Sequence, residues 1–166
     1  MAGTSHPQPD LAILPDAAQL AEAAVNEFRA VAQAAIAQRG RLTVALSGGN
    51  TPRSVYSLLA QECRDSLEWK KIFIFFGDER HVPPDDAQSN YRMARESLLS
   101  RVPIPDQNVF RILAELPAEE AAKDYENNLR SFFQLAPGAL PRFDLIFLGL
   151  GDDGHTASLF PGSAAL

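Results

Sequence analysis

A histidine set among glycines and acids is the residue best placed to do chemistry in this chain. His155 closes the run Gly149-Leu-Gly-Asp-Asp-Gly-His155, directly after the apolar stretch Phe143–Leu148. An unperturbed imidazole titrates near neutral pH and is the common general base of enzymes. Gly149, Gly151 and Gly154 are expected to take positive φ and let the backbone approach a ligand. A lone His is more often a satisfied loop or core residue, but this setting turns the reading toward a catalytic base. Asp78 or Asp153 could orient its ring. Asp152, Asp153 and His155 lack the ligand number and spacing of a metal centre, so no metal is expected.

Two earlier loops carry matching chemistry. Ser47-Gly-Gly-Asn-Thr-Pro52 leaves a strand and opens a helix, so Ser47, Gly48, Gly49 and Thr51 offer hydroxyls and free N–H donors to an anion, most naturally a phosphate. The loop has neither the Lys of a P-loop nor the spacing of a dinucleotide fingerprint. Its plainer reading is a tight turn with Thr51 as a helix cap. In Gly77-Asp-Glu-Arg-His-Val-Pro-Pro84, Arg80 can grip a phosphate or carboxylate with two parallel hydrogen bonds. The plainer reading there is a surface pair in which Glu79 and Arg80 neutralise one another. His81 is assigned no catalytic role, and Asp85-Asp86 reads as a solvated turn.

These loops need a scaffold that presents them together. Asp16 with Gln19 reads as a reciprocal helix start, Leu20, Ala24, Phe28, Val31 and Ala35 as an inner face, and Gly40 as the stop. Strands are expected at Leu42–Leu46, Ile72–Phe76, Phe143–Leu148 and, more weakly, Val109–Ile112. Helices are expected from about Pro52 to Gln61, from Ser89 to Leu99 and from Pro117, the last with Ala121, Tyr125, Leu129 and Phe132 inward. Strands alternating with helices predict an α/β fold, a parallel sheet with helices on both faces. Ligands of such sheets bind at the carboxyl ends of the strands, where all three loops lie.

Composition narrows the partners. The chain has 166 residues, 46% of them hydrophobic, enough for one core and one domain. Residues 1–9 read as a flexible polar tail and 10–166 as a single α/β domain. Fifteen basic against 21 acidic residues give a net charge of −6, which argues against nucleic acid or an anionic membrane as main partner. An anionic substrate must then be captured by a local basic site. The single cysteine, Cys63, excludes an internal disulfide framework and fits a reducing cytoplasm. No apolar run approaches the roughly 18 residues of a membrane span.

Taken together, Leu46-Ser-Gly-Gly-Asn-Thr-Pro52, Phe76-Gly-Asp-Glu-Arg-His-Val-Pro83 with Ser89-Asn-Tyr91, and Phe143-Asp-Leu through His155-Thr-Ala-Ser-Leu-Phe-Pro161 resemble the 6-phosphogluconolactonases. The resemblance runs from about Pro15 to Leu166. It implies a Rossmann-like fold without metal or organic cofactor, and hydrolysis of 6-phospho-D-glucono-1,5-lactone in the oxidative pentose phosphate pathway. A lactone is an activated ester, so one base can drive water onto its carbonyl without a covalent intermediate. His155 would be that base, with Asp78 or Asp153 behind it. N–H groups of the glycine loops would stabilise the oxyanion, and Gly151 would help to bind the substrate. Arg80, Asn90 and the Ser47–Thr51 loop would hold the phosphate end.

One departure accompanies the match. Family members continue with further strands, helices and basic residues, whereas this chain stops at Leu166. The expectation is an amino-terminal fragment lacking the family's C-terminal elements, self-associating where the full-length form is a monomer.

Three rivals stand beside this reading. The glucosamine-6-phosphate deaminases share an Asp-Gly-His turn but place a Glu five residues after the His, where this chain has Phe160. A serine hydrolase would use Ala45-Leu-Ser-Gly-Gly49 as its nucleophile elbow, but the first glycine is missing and the Asp sits on an early strand. A sugar-phosphate-sensing regulator would need a helix-turn-helix, where Pro15–Gly40 offers one long helix.

Overall fold

A computed structural model of the chain describes residues 10–166, so the tail read at residues 1–9 lies outside the described residues. Helix α1 (Ala17–Arg39) starts where the Asp16 carboxylate accepts the Gln19 N–H at 2.8 Å and ends at Gly40, whose φ of 75° needs no Cβ. Its buried residues are Ala21, Val25, Phe28, Ala32 and Ala35. The inner face is thus turned by about one residue from the expected one, and Leu20 is left exposed. Several small alanines here carry little hydrophobic weight, so the face is set by what packs against it, Phe28 stacking on Trp69 and Phe147.

Strand β1 (Leu42–Leu46) is buried along its whole length and lies between β2 (Ile72–Phe76) and β3 (Leu145–Ile146), both parallel to it. Alternation sorts the side chains between two layers. Leu42, Val44, Leu46, Ile72, Ile74 and Phe76 join the core with α1 and α2 (Asn50–Glu62). Phe73 and Phe75 instead meet Phe132 of α4 (Ala118–Phe133), and Phe75 also stacks on Phe110 at 4.6 Å. This is the parallel α/β architecture expected from the strand–helix alternation, and it agrees with the Rossmann-like fold that the resemblance implies.

Three elements are shorter or different from the expected ones. The weak strand at Val109–Ile112 reduces to a single bridge, Ile74 with Val109. The helix from Ser89 divides into α3 (Asn90–Ala94) and a π-helical turn, Arg95–Leu99. The apolar run Phe143–Leu148, expected to be a buried strand, pairs only at Leu145 and Ile146, with Ile146 49% and Leu148 63% exposed. Asp144 fixes its register. One carboxylate oxygen accepts the Thr43 N–H at 2.7 Å and the Thr43 hydroxyl at 2.9 Å, and Arg39 pairs with the other. That anchor decides where β3 delivers the glycine-rich turn. Among the described residues, no helix is long and apolar enough to cross a membrane.

Candidate active site

Each loop leaves the carboxyl end of its strand, and two tyrosines clamp two of those ends. The Tyr56 hydroxyl accepts the Ser47 N–H and donates to the Ser47 carbonyl, both at 3.0 Å. The Tyr125 hydroxyl does the same for Phe76, at 2.9 and 2.8 Å. Burial pushes both phenols up to about 12, so each stays protonated and can donate and accept at once. These clamps replace the ladder bonds that a strand loses where it ends.

In the first loop, Gly49 has φ 111° and begins α2 with no side-chain cap, so the expected alternative of Thr51 as the cap does not form. The Asn50 and Thr51 amides lie in the first helical turn, where N–H groups have no intrahelical partner. Pro52 has no N–H to offer. Ser47 is buried, and its hydroxyl has no hydrogen-bond partner among the described residues. Gly48 is required for a different reason: a Cβ there would fall 1.9 Å from Oδ1 of Asn90.

The second loop departs from the surface ion-pair reading. The Glu79 carboxylate accepts four hydrogen bonds, from the Arg80, Asn90 and Tyr91 amides and the Ser89 hydroxyl. None comes from a guanidinium. Arg80 is exposed, and its guanidinium makes no ion pair or hydrogen bond among the described residues. His81 is exposed too, its Nε2 at 3.0 Å from the Leu116 carbonyl. Asn90, expected at the phosphate, is buried, and its amide nitrogen donates to the Asp78 carbonyl and carboxylate at 3.2 Å each. It braces the loop from within.

In the third loop, the His155 ring meets the Asp153 carboxylate through Nδ1. A carboxylate can only accept, so Nδ1 carries the hydrogen and Nε2 of the neutral ring keeps its lone pair. The His155 hydrogen bonds hold the Asp153 carboxyl below its ordinary value. Between the two candidate orienting acids, it is Asp153 that touches His155. Asp78 is occupied by Asn90 and by the Ser158 hydroxyl, which donates to its other oxygen at 2.7 Å.

The glycines of this turn divide their work. Gly154 takes φ 82°, whereas Gly151 matters by proximity, because a Cβ there would lie 2.2 Å from Cε1 of His155. Gly149 has neither a positive φ nor a crowded Cβ position, contrary to the expectation for it. Phe160 stacks on the His155 ring with centroids 4.6 Å apart.

A chain of contacts therefore joins all three loops: Gly48 against Asn90, Asn90 to Asp78, and Asp78 to Ser158, three residues beyond His155. Tyr56 and Ser158 carry no sequence signal for their supporting roles, and Glu79 and Tyr125 carry a different one, a surface ion pair and an inward helix face. Glu79 stands inside a recognised loop, but three of its four donors lie ten to twelve residues away. Among the described residues, no group of three or more His, Cys, Asp or Glu side chains is placed to hold a metal.

Comparison with known proteins gives a consistent answer. Residues 15–166 match the family described as glucosamine-6-phosphate isomerases/6-phosphogluconolactonase. The chain is 54% identical over 133 residues to a Synechocystis 6-phosphogluconolactonase, covering 80% of this chain and 54% of the relative. To a Nostoc 6-phosphogluconolactonase it is 46% identical over 156 residues, covering 93% and 63%. The solved structure of 6-phosphogluconolactonase from Trypanosoma brucei superposes with a TM-score of 0.86 at 37% identity, covering 95% of this chain and 65% of that one. The chain thus spans between about half and two thirds of the length of these relatives.

Proposed function

The chain belongs to the family of glucosamine-6-phosphate isomerases and 6-phosphogluconolactonases, and from that premise we propose that it serves hydrolysis of 6-phospho-D-glucono-1,5-lactone to 6-phosphogluconate. The observation that carries this reading is the His155–Asp153 pair. It leaves Nε2 unpartnered among the described residues, on a turn tied through Ser158 and Asp78 to the loop that bears Arg80. The base and the cation for the phosphate are thereby held on one braced frame.

The reaction needs one water and no covalent enzyme intermediate. Nε2 of His155 takes a proton as the water oxygen attacks the lactone carbonyl. The imidazolium that forms is stabilised by the Asp153 carboxylate behind Nδ1. Unpaired amides at the start of α2 are candidates to stabilise the oxyanion, since such donors are already oriented before charge develops. Collapse of the tetrahedral intermediate breaks the bond to the ring oxygen. That oxygen takes the proton back from Nε2, which restores the neutral base. Arg80, with Ser47, Gly48, Gly49 and Thr51, holds the phosphate end and fixes the carbonyl before Nε2, where proximity lowers the barrier.

The isomerase half of the family name is less well served. Phe160 lies flat on the base, and a phenyl ring moves no protons. A serine nucleophile fares no better, because Ser47 has no basic side chain within hydrogen-bond reach and neither Asp78 nor His155 is bonded to it. The free, buried thiol of Cys63 fits a reducing compartment, and we place the reaction in the cytoplasm.

The test is lactone hydrolysis by wild type and His155→Ala, with spontaneous ring opening subtracted. The Ala variant is expected to lose most of the catalysed rate while still binding 6-phosphogluconate. An unchanged kcat would remove His155 from the mechanism.

A further inference from the structure

We infer that Glu79 is a positioning residue of the lactone site, a claim that rests on the proposed function and adds to it a residue that touches no substrate. Oε1 accepts the Arg80 N–H at 2.8 Å and the Asn90 N–H at 2.7 Å. Oε2 accepts the Tyr91 N–H at 2.8 Å and the Ser89 hydroxyl at 3.1 Å. Hydrogen bonds to an ionised acceptor are the stronger kind, and four donors occupy essentially all the capacity of one carboxylate.

The donors are not a random set. Asn90 and Tyr91 open α3, where helical N–H groups lack intrahelical partners, and the Ser89 hydroxyl that binds Glu79 also caps the Arg92 N–H at 3.1 Å. Glu79 therefore fastens the beginning of α3 to the end of β2. Fixing the Asn90 backbone fixes its side chain, which packs on Gly48 of the first loop and donates to Asp78. Asp78 in turn receives Ser158 from the histidine loop. One carboxylate thus sets the seat on which three loops meet.

A second consequence concerns charge. Because Glu79 is spent on amides, it does not neutralise Arg80, whose guanidinium stays available for a phosphate. The two readings predict opposite signs. If Glu79 screened Arg80, removing its charge would tighten phosphate binding. If it positions, removing one acceptor oxygen turns an NH2 group toward N–H donors and loosens the seat.

The experiment compares wild type, Glu79→Gln, Asn90→Ala and the double variant. It measures KM and kcat for the phosphorylated lactone, and hydrogen exchange at the Asn90 and Tyr91 amides. For Glu79→Gln we expect both amides to exchange about tenfold faster or more, the factor that loss of one charge-assisted hydrogen bond produces. KM should rise and kcat should fall. The double variant should be no worse than the worse single one, since Glu79 acts through Asn90.

Lowered KM, unchanged exchange, or losses that multiply in the double variant would each overturn the inference. Should Glu79→Gln not fold, Ser89→Ala removes one donor, keeps the carboxylate, and should shift exchange and KM in the same directions by less. Exchange is read without turnover. A wild type that protects these amides but opens no lactone would therefore sink the proposed function, while the Glu79→Gln exchange rates would still decide the positioning claim.

Discussion

Replacing Tyr56 by Phe should flatten the alkaline stability profile of this protein. Tyr56 is fully buried, with its hydroxyl between the N–H and carbonyl of Ser47. Burial is the main force that raises its phenol from 10 to about 12, and the hydrogen bonds with Ser47 act in the opposite direction. In the unfolded chain the same phenol ionises near its ordinary value of about 10. Between those two pH values the unfolded state sheds its proton while the native state keeps it, so rising pH favours unfolding. The stabilisation is complete below pH 10 and is lost as pH climbs through about 12.

At about 1.4 kcal/mol per pH unit, that interval corresponds to about 3 kcal/mol. The Phe variant has no such proton to lose. At neutral pH it should be less stable by about 1–3 kcal/mol, because two buried main-chain groups lose their partner. Urea unfolding followed by fluorescence of Trp69, the one tryptophan, at pH 8 to 12 measures both effects. Relative to Tyr56→Phe, wild type should lose about 2 kcal/mol of stability from pH 9 to 12. A gap constant across that range would refute the coupling of burial to the clamp. Tyr125→Phe, on the other phenol raised to about 12, should repeat the pattern.

Other outcomes follow from the same geometry. Gly151→Ala should abolish activity with the fold intact by circular dichroism, because the new methyl must displace the His155 ring. Asp153→Asn should lower kcat but leave KM for the lactone near wild type, since it removes the acceptor at Nδ1 and no substrate contact. Because the His155 hydrogen bonds lower the Asp153 carboxyl, that orienting pair should persist on acidification until pH falls below the ordinary carboxylate value of 3.8. Arg80→Ala should weaken the phosphorylated lactone far more than unphosphorylated gluconolactone, whereas equal losses would make Arg80 structural. The 166-residue chain should self-associate through exposed Ile146, Leu148 and Leu150, and Leu148→Lys should reduce that association in sedimentation velocity.

What could be read from the sequence was whatever local chemistry decides. Asp16 and Gly40 bound α1 because capping and a positive φ are properties of those residues themselves. The strands β1 and β2 were legible because continuous β-branched and aromatic runs fit a sheet buried on both faces. The α1 face lies about one residue from the one its pattern predicts because alanines surround it, and only its tertiary partners choose among them. Residues Phe143–Leu148 form a shorter strand than their hydrophobicity implies, since pairing depends on a neighbour and β1 supplies one side only. At the candidate site, His155 and Arg80 stood out by type and setting. Glu79 could not, because an acid beside an arginine looks like an ion pair until its distant donors are known. Tyr125 falls on the inward face of its helix, but nothing local links it to Phe76, 49 positions earlier.

The central claim is that Nε2 of His155 activates water against a phosphorylated lactone. It is tested most directly by the catalysed opening rate of 6-phosphogluconolactone, followed by NMR. Wild type and His155→Ala are to be compared both as the 166-residue chain and extended to the relatives' length. The account predicts a loss of about 10²- to 10⁴-fold on losing this base, with product binding retained. Wild-type rates in the Ala variant would contradict it.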